Sequence, residues 1–277
     1  MQSGYYSSTG GIVTQFHRLD MISNNLANAN TTGFKRDDVV IGDFLRLYEQ
    51  QKEPLPLEDQ TREAAKFLNR AMDRVPSIVE EYTDRSIGGI TPSENRFDFA
   101  LQNENAYFMV ETPEGIRYTR DGSFTLNSEG RLVTKEGFAV LPREFVQSRQ
   151  YIDIPDGVVI EADRNGNLYS RTLNNDELGD IIPLGNIAIA SFENPKYLEK
   201  TGKNLYEYPQ ERMGERNLAT NSGALVQGYL EKSNVNAVWE MTGLIETNRL
   251  VDMYSKVMKT HMDDLNTEAI TKLAVKA

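Results

Sequence analysis

The period of apolar and polar positions changes twice along this chain. From residues 5 to 29 the apolar side chains Tyr5, Tyr6, Ile12, Val13, Phe16, Leu19, Ile22 and Leu26 recur at helical spacing. Among them Ile12, Phe16, Leu19, Ser23 and Leu26 fall four, three, four and three apart. This spacing predicts an amphipathic helix with a heptad-like seam. Asn28, Asn30, Thr31 and Thr32 compete with the helix by bonding their own backbone, and Gly33 supplies a residue able to take positive φ. The helix is therefore expected to dissolve there, with Phe34 restarting extended chain. From about Val75 to Tyr208 the pattern alternates instead. Asp121-Gly122, Glu129-Gly130, Glu136-Gly137, Asp156-Gly157 and Asn165-Gly166 punctuate short runs such as Ser123 to Leu126 and Gly157 to Glu161, which predicts an antiparallel, meandering β-domain. Beyond it, Ala237, Met241, Leu244, Asn248, Val251, Ser255, Met258, Met262 and Leu265 restore the four-three alternation. With Asn234 or Asn236 as N-cap, a helix from Asn236 to Lys272 would run roughly 50 Å.

The expected architecture is α+β. Residues 1–48 and 222–277 make a coiled-coil-like helical domain from both termini, 75–221 form the central antiparallel β-domain, and 49–74 form an extended linker interrupted by Pro54 and Pro56. Ile41, Phe44, Leu45 and Tyr48 keep helical spacing and predict a short helical patch over Val39 to Tyr48. Thr61 to Arg74 reads as a second brief helix.

One stretch is more specific than its physics. Ser23-Asn24-Asn25-Leu26-Ala27-Asn28, followed by Asn30-Thr31-x-Gly33-Phe34-Lys35, closely resembles the N-terminal signature of the bacterial flagellar rod and hook proteins. The resemblance continues in Phe97 to Leu101, Tyr118-Thr-Arg-Asp-Gly-Ser-Phe124, Gly130 to Thr134 and Gly202-x-Asn-Leu-Tyr206, which are similar to that family's central strand motifs. Ser222 to Asn236 is similar to its lead-in to the last helix. One departure falls at Gln102 to Phe108, where a Gly-rich bend is expected and none is present. The resemblance implies a structural subunit that polymerises axially with copies of itself and with other rod proteins. It also implies export by the flagellar type III apparatus and residence in the basal-body rod, in the periplasmic space. The string Ser233-Asn234-Val235-Asn236-Ala237-Val238, with Met241, Ile245, Arg249, Asp252-Met253 and Lys256 to Met258, is closer to the proximal rod branch than to the distal one. The hook protein is typically longer.

Composition narrows the alternatives. Thirty basic residues against 41 acidic give a net charge of −11, with no basic cluster, which argues against nucleic-acid binding. Cysteine is absent, removing disulfides and thiolate chemistry. No apolar run reaches membrane-spanning length, and the first residues lack the pattern of a cleavable signal peptide. Direct membrane insertion is not expected. No catalytic, cofactor or metal site is predicted: His17 and His261 read as ordinary helix residues, and Asp163 to Asn167 reads as a hairpin turn rather than a calcium loop. Trp239 reads as packing beside the seam. The competing class, a β-rich binding or carbohydrate-active domain, needs converging aromatics or carboxylates that the sequence does not display.

The seams carry a further expectation. Burying the apolar positions is worth roughly 1.5–3 kcal/mol each, and a two-helix pair covers only one face of each helix. Val13, Ile22, Val238, Ile245 and Val257 then require neighbouring subunits. The helices are expected to fold largely on assembly, whereas residues 75–225 are expected to fold alone.

Overall fold

The computed structural model describes residues 2–43, 76–155, 157–174, 177–218 and 225–274. The described chain is α+β and divides into two compact units, each assembled from distant parts of the sequence.

The first unit contains the N-terminal helix Gln2–Ala27, the C-terminal helix Ala237–Ala274 and an antiparallel ribbon of Asp37–Asp43 with Pro76–Thr83. Thr14 Oγ1 donates to the Pro76 carbonyl, and the Asn25 side chain bonds both backbone groups of Asp37, so the ribbon is fastened along the N-terminal helix. Gly11 lies against Tyr254 and Ile22 against Gly243, so the two helices run antiparallel. At about 1.5 Å per residue, the 38-residue C-terminal helix is some 57 Å long. The expected helix over Val39 to Tyr48 is corrected: its first part, Val39-Val40-Ile41, is β-branched and pairs with Glu81, Glu80 and Ile78 as strand. The remainder of that patch, the linker and the Thr61 to Arg74 reading lie outside the described residues.

The helix seam is also corrected. The face of the N-terminal helix turned inward carries Ser8, Gly11, Thr14, Gln15, Ile22 and Asn25, and that of the C-terminal helix carries Glu240, Thr247 and the half-buried Tyr254. Each expected seam lies one residue further along. Phe16 and Met241 are each 52% exposed, and Ser23, Asn248, Ser255 and Met262 are exposed as well. Heptad spacing fixes a stripe but not which of two adjacent stripes meets the partner. Here small residues decide, because Gly11 lets the Tyr254 ring lie on the helix and Gly243 admits Ile22. Among the described residues, Ile22 is the one buried apolar side chain in this unit. A Cβ at Gly11 would stand 2.7 Å from the Tyr254 ring. Gly11→Leu is therefore expected to destabilise the helix pair by about 1–3 kcal/mol, although leucine is the better helix former. Circular dichroism melts check this, with Gly11→Leu/Tyr254→Ala recovering part of the helical signal.

The second unit, Asn28–Arg36 with Asp84–Val235, is built on a nine-stranded antiparallel sheet. Its central strand Ala106–Thr112 pairs with Gly115–Thr119 on one side and with Ala139–Val140 and Ile189–Phe192 on the other. Side chains alternate across a strand. Ala106, Phe108 and Val110 accordingly enter one core with Phe99, Phe124 and Leu132, while Tyr107 and Met109 enter another with Tyr118, Phe192 and Tyr206. Val159–Ala162, Asn167–Asn174 and Glu177–Asn186 form a three-stranded sheet. Its first hairpin turns as expected at Asp163 to Asn167, where the Asp163 carboxylate accepts from the backbone of Asn165 and Asn167. At Gln102 to Phe108 no glycine is required, because Asn103 Oδ1 accepts the Asn105 N–H and builds the bend from a side chain.

The division shifts the expected boundaries. Residues 28–36 and 225–235 go with the β-unit, and the strand Pro76–Thr83 goes with the helices.

Candidate assembly site

The signature begins as helix and ends as a plug in the β-unit. After Ala27 the chain leaves the helix through Asn28, whose carbonyl accepts the Thr31 N–H and whose Oδ1 accepts the Thr31 hydroxyl. Gly33 takes φ +67°, and its N–H donates to the Glu231 carbonyl at 2.8 Å. Phe34 is buried beneath the Lys200 ammonium, 4.3 Å from the ring centroid.

Lys35 is fully buried, and so are Arg120 and Glu231. Lys35 Nζ donates to Glu231 Oε1 at 2.6 Å and to the Ser86 carbonyl at 2.6 Å, and the Gly88 N–H donates to the same Oε1. The other carboxylate oxygen accepts both Nε and Nη2 of Arg120, at 2.9 and 2.6 Å. Arg120 also donates to the carbonyls of Leu101, Asn103 and Ala106. Two cations thus share one carboxylate out of water. Burial, reinforced by the Arg120 charge and opposed by Glu231, holds the Lys35 pKa below its ordinary value.

Beside this triad, Asn234 ties together three chain segments. Its Oδ1 accepts the Arg36 N–H, its Nδ2 donates to the Asp84 carbonyl and to Ser86, and its own N–H donates to the Phe34 carbonyl. Arg36, Asp84 and Val235 are the β-unit residues at three of the four points where the chain passes to or from the helical unit. Asn236 proves to be the helix N-cap, accepting the N–H groups of Val238 and Trp239, while the Val235 N–H donates to the Ser233 hydroxyl.

The structure therefore gathers Gly33, Phe34 and Asn234 with Lys35, Arg120 and Glu231, three residues not singled out from the sequence. Their signal was present: each stands inside one of the strings that carry the family resemblance. Asn25 closes the loop against Asp37, Asn24 and Leu26 lie on the helix beside it, and Ala27 and Asn30 are exposed.

The helix positions form a different kind of surface. Because the helices are antiparallel, the stripe one residue beyond the seam falls on the same side of the pair for both. Ile12, Leu19 and Leu26 from one helix and Leu244, Val251 and Met258 from the other lie half-buried along its margin, with Phe16, Met241 and Met262 exposed. Ile245, Val238 and Trp239 are also exposed, the last at 76%, so Trp239 does not pack within the single chain. Val13 and Val257 are exposed as expected, but Ile22 is not. Asn248 turns back on the Leu244 carbonyl of its own helix, Arg249 is exposed, and the Leu265 side chain lies outside the described residues. No group of three or more metal-ligating side chains occurs among the described residues, and no described helix is long and apolar enough to cross a membrane.

Three family models match the chain: a flagella basal body rod protein model at residues 6–35, a flagellar hook protein FlgE/F/G D1 domain model at 103–172, and a flagellar basal body rod FlgEFG protein C-terminal model at 226–271. The chain is 31% identical to the flagellar basal-body rod protein FlgG of Buchnera aphidicola subsp. Baizongia pistaciae, over 90% of this chain and 92% of that protein. It is 31% identical to the flagellar basal-body rod protein FlgF of Caulobacter vibrioides, over 99% of this chain and 98% of that protein. It is 30% identical to FlgG of Borreliella burgdorferi, over 94% and 95%.

Proposed function

Since this chain belongs to the flagellar basal-body rod protein family, a family of structural proteins, we propose that it polymerises axially in the rod and transmits motor torque. The observation that carries this reading is the helical unit, which among its described residues buries one apolar side chain yet presents Phe16, Met241, Ile245 and Met262 on or beside one side of an antiparallel pair. An apolar patch of this kind marks a protein interface. Neighbouring copies and other rod proteins would cover it, completing coiled-coil-like packing that a single chain lacks. Such a thin core also supports helices that are marginally stable in the monomer and gain most of their order on assembly.

Met241→Asp with Ile245→Asp places charges on exposed positions, so the isolated chain should keep its fold. Incorporation into basal bodies should nevertheless fall by at least about tenfold, since burying even one carboxylate at an apolar contact costs several kcal/mol. Quantifying the protein in purified basal bodies checks this, and normal incorporation would remove the stripe from the interface.

The proximal branch is favoured over the distal rod or a hook-type subunit by the string from Ser233 to Met258. Labelling the protein in isolated basal bodies should place it at the cell-proximal end of the rod. Export through the type III apparatus into the periplasmic rod implies an uncleaved N-terminus. Mass spectrometry of the assembled protein should find the chain intact apart from loss of Met1, and removal of some 20 N-terminal residues would contradict that route.

A further inference from the structure

The signature loop is held chiefly by residues far downstream. Thr32 accepts from Asn204, Lys35 accepts from Lys200 and donates to Glu231, Gly33 donates to Glu231, and Phe34 and Arg36 are paired with Asn234. The strand that carries Glu231, Tyr229–Glu231, pairs with Ile90–Pro92 in a two-stranded piece separate from the nine-stranded sheet. Lys200, from the nine-stranded sheet, and the Arg120–Asp121 backbone form one wall of the seat, and the other, residues 84–89, has no regular secondary structure. A plug held by one carboxylate between two cations, with one wall irregular, is a locally weak part of a protein whose main sheet is buried on both faces.

We propose that Glu231 is the latch of a locally opening seat. Residues 28–36 leave and re-enter the β-unit while the nine-stranded sheet stays folded, and the seat closes only when Tyr229–Glu231 has docked. The earlier residues Asp84 and Ser86 supply only part of the seat, accepting from Lys35 and donating to Arg36, while the Gly33 bond, the carboxylate on Lys35 and the side-chain acceptor of the Arg36 N–H come from Glu231 and Asn234. For assembly, this means the signature loop is seated last, after the rest of the β-unit is complete. That consequence rests on the rod-subunit reading, whereas the latch itself is a property of the monomer.

Hydrogen exchange on dilute full-length protein tests it without any assembly. In the unsubstituted chain the bonded amides of Gly33 and Arg36 should exchange at least about tenfold faster than those of Phe108 to Val110. Glu231→Gln should speed Gly33 and Arg36 by a further factor of about ten, keep them faster than Phe108 to Val110, whose exchange follows the stability of the whole β-unit, and open the bonds after Lys35 and Arg36 to trypsin. Equal exchange of the two regions in the unsubstituted chain would show one cooperative unit and overturn the proposal, whether or not Glu231→Gln folds. Protection of Gly33 and Arg36 unaltered by Glu231→Gln would overturn the role of the carboxylate.

Discussion

Arg120→Met is expected to destabilise the β-unit by about 3–5 kcal/mol, the range for breaking a buried ion pair by removing one partner. Arg120 is the largest fully buried side chain among the described residues, and its guanidinium serves Glu231 together with three backbone carbonyls in and beside the bend at Gln102 to Asn105. Methionine fills much of the volume but leaves those carbonyls without that donor. Arg120→Lys should rescue little, since one ammonium cannot reproduce the fork. Lys35→Met should cost far less, because it removes the second of two buried cations and leaves Glu231 paired with Arg120. Urea titrations followed by tyrosine fluorescence would rank the three, and a Lys35→Met loss equal to that of Arg120→Met would contradict this account. Residues 75–225, the fragment expected to fold alone, omit Glu231 and would bury Arg120 without its carboxylate, so a stable β-unit needs the chain to Val235.

A pH dependence follows from the same triad. The folded-state pKa of Lys35 lies below 10.5, its ordinary value, with burial the main cause. Between the folded value and 10.5 the unfolded chain holds more protons, so this group's contribution to stability rises with pH across that window. Lys35→Met should remove that alkaline component, which unfolding curves at a series of pH values would detect.

Gly33→Val should abolish motility while leaving the nine-stranded sheet folded. Positive φ at a β-branched residue costs about 1–3 kcal/mol. The space is closed as well: a Cβ at Gly33 would stand 2.5 Å from the Arg120 carbonyl carbon and 2.6 Å from the Asp121 nitrogen. Gly33→Asn separates the two effects, because asparagine tolerates the left-handed region but still carries a Cβ. It should fail nearly as badly as valine. A motile Gly33→Asn strain would assign the requirement to φ alone, and a motile Gly33→Val strain would show that the seat is dispensable. Because the clash is with backbone between Arg120 and Asp121, the defect should appear as an undocked Phe34 and Lys35 rather than as global unfolding.

What the sequence determined by itself was everything that local period and turn chemistry specify. Two terminal helices follow from four-three spacing, and the Asn236 cap was one of two named candidates. The exit at Asn28 to Gly33 follows from amides that bond their own backbone and a glycine able to reach positive φ. The β-meander follows from alternation broken by Gly turns, and the family from strings spread through all of these elements. The tertiary structure decided matters that depend on partners distant in sequence. It selected the inner stripe of the helix pair, because Gly11 and Gly243 permit close approach that the adjacent apolar stripe does not. It turned Val39 to Ile41 into strand, because a β-branched run found a ribbon partner in Ile78 to Glu81. It also joined Lys35, Arg120 and Glu231, up to 196 residues apart, into one buried cluster. Charged side chains in a sequence read as solvated surface, and only the fold, by removing water from all three at once, makes them depend on each other.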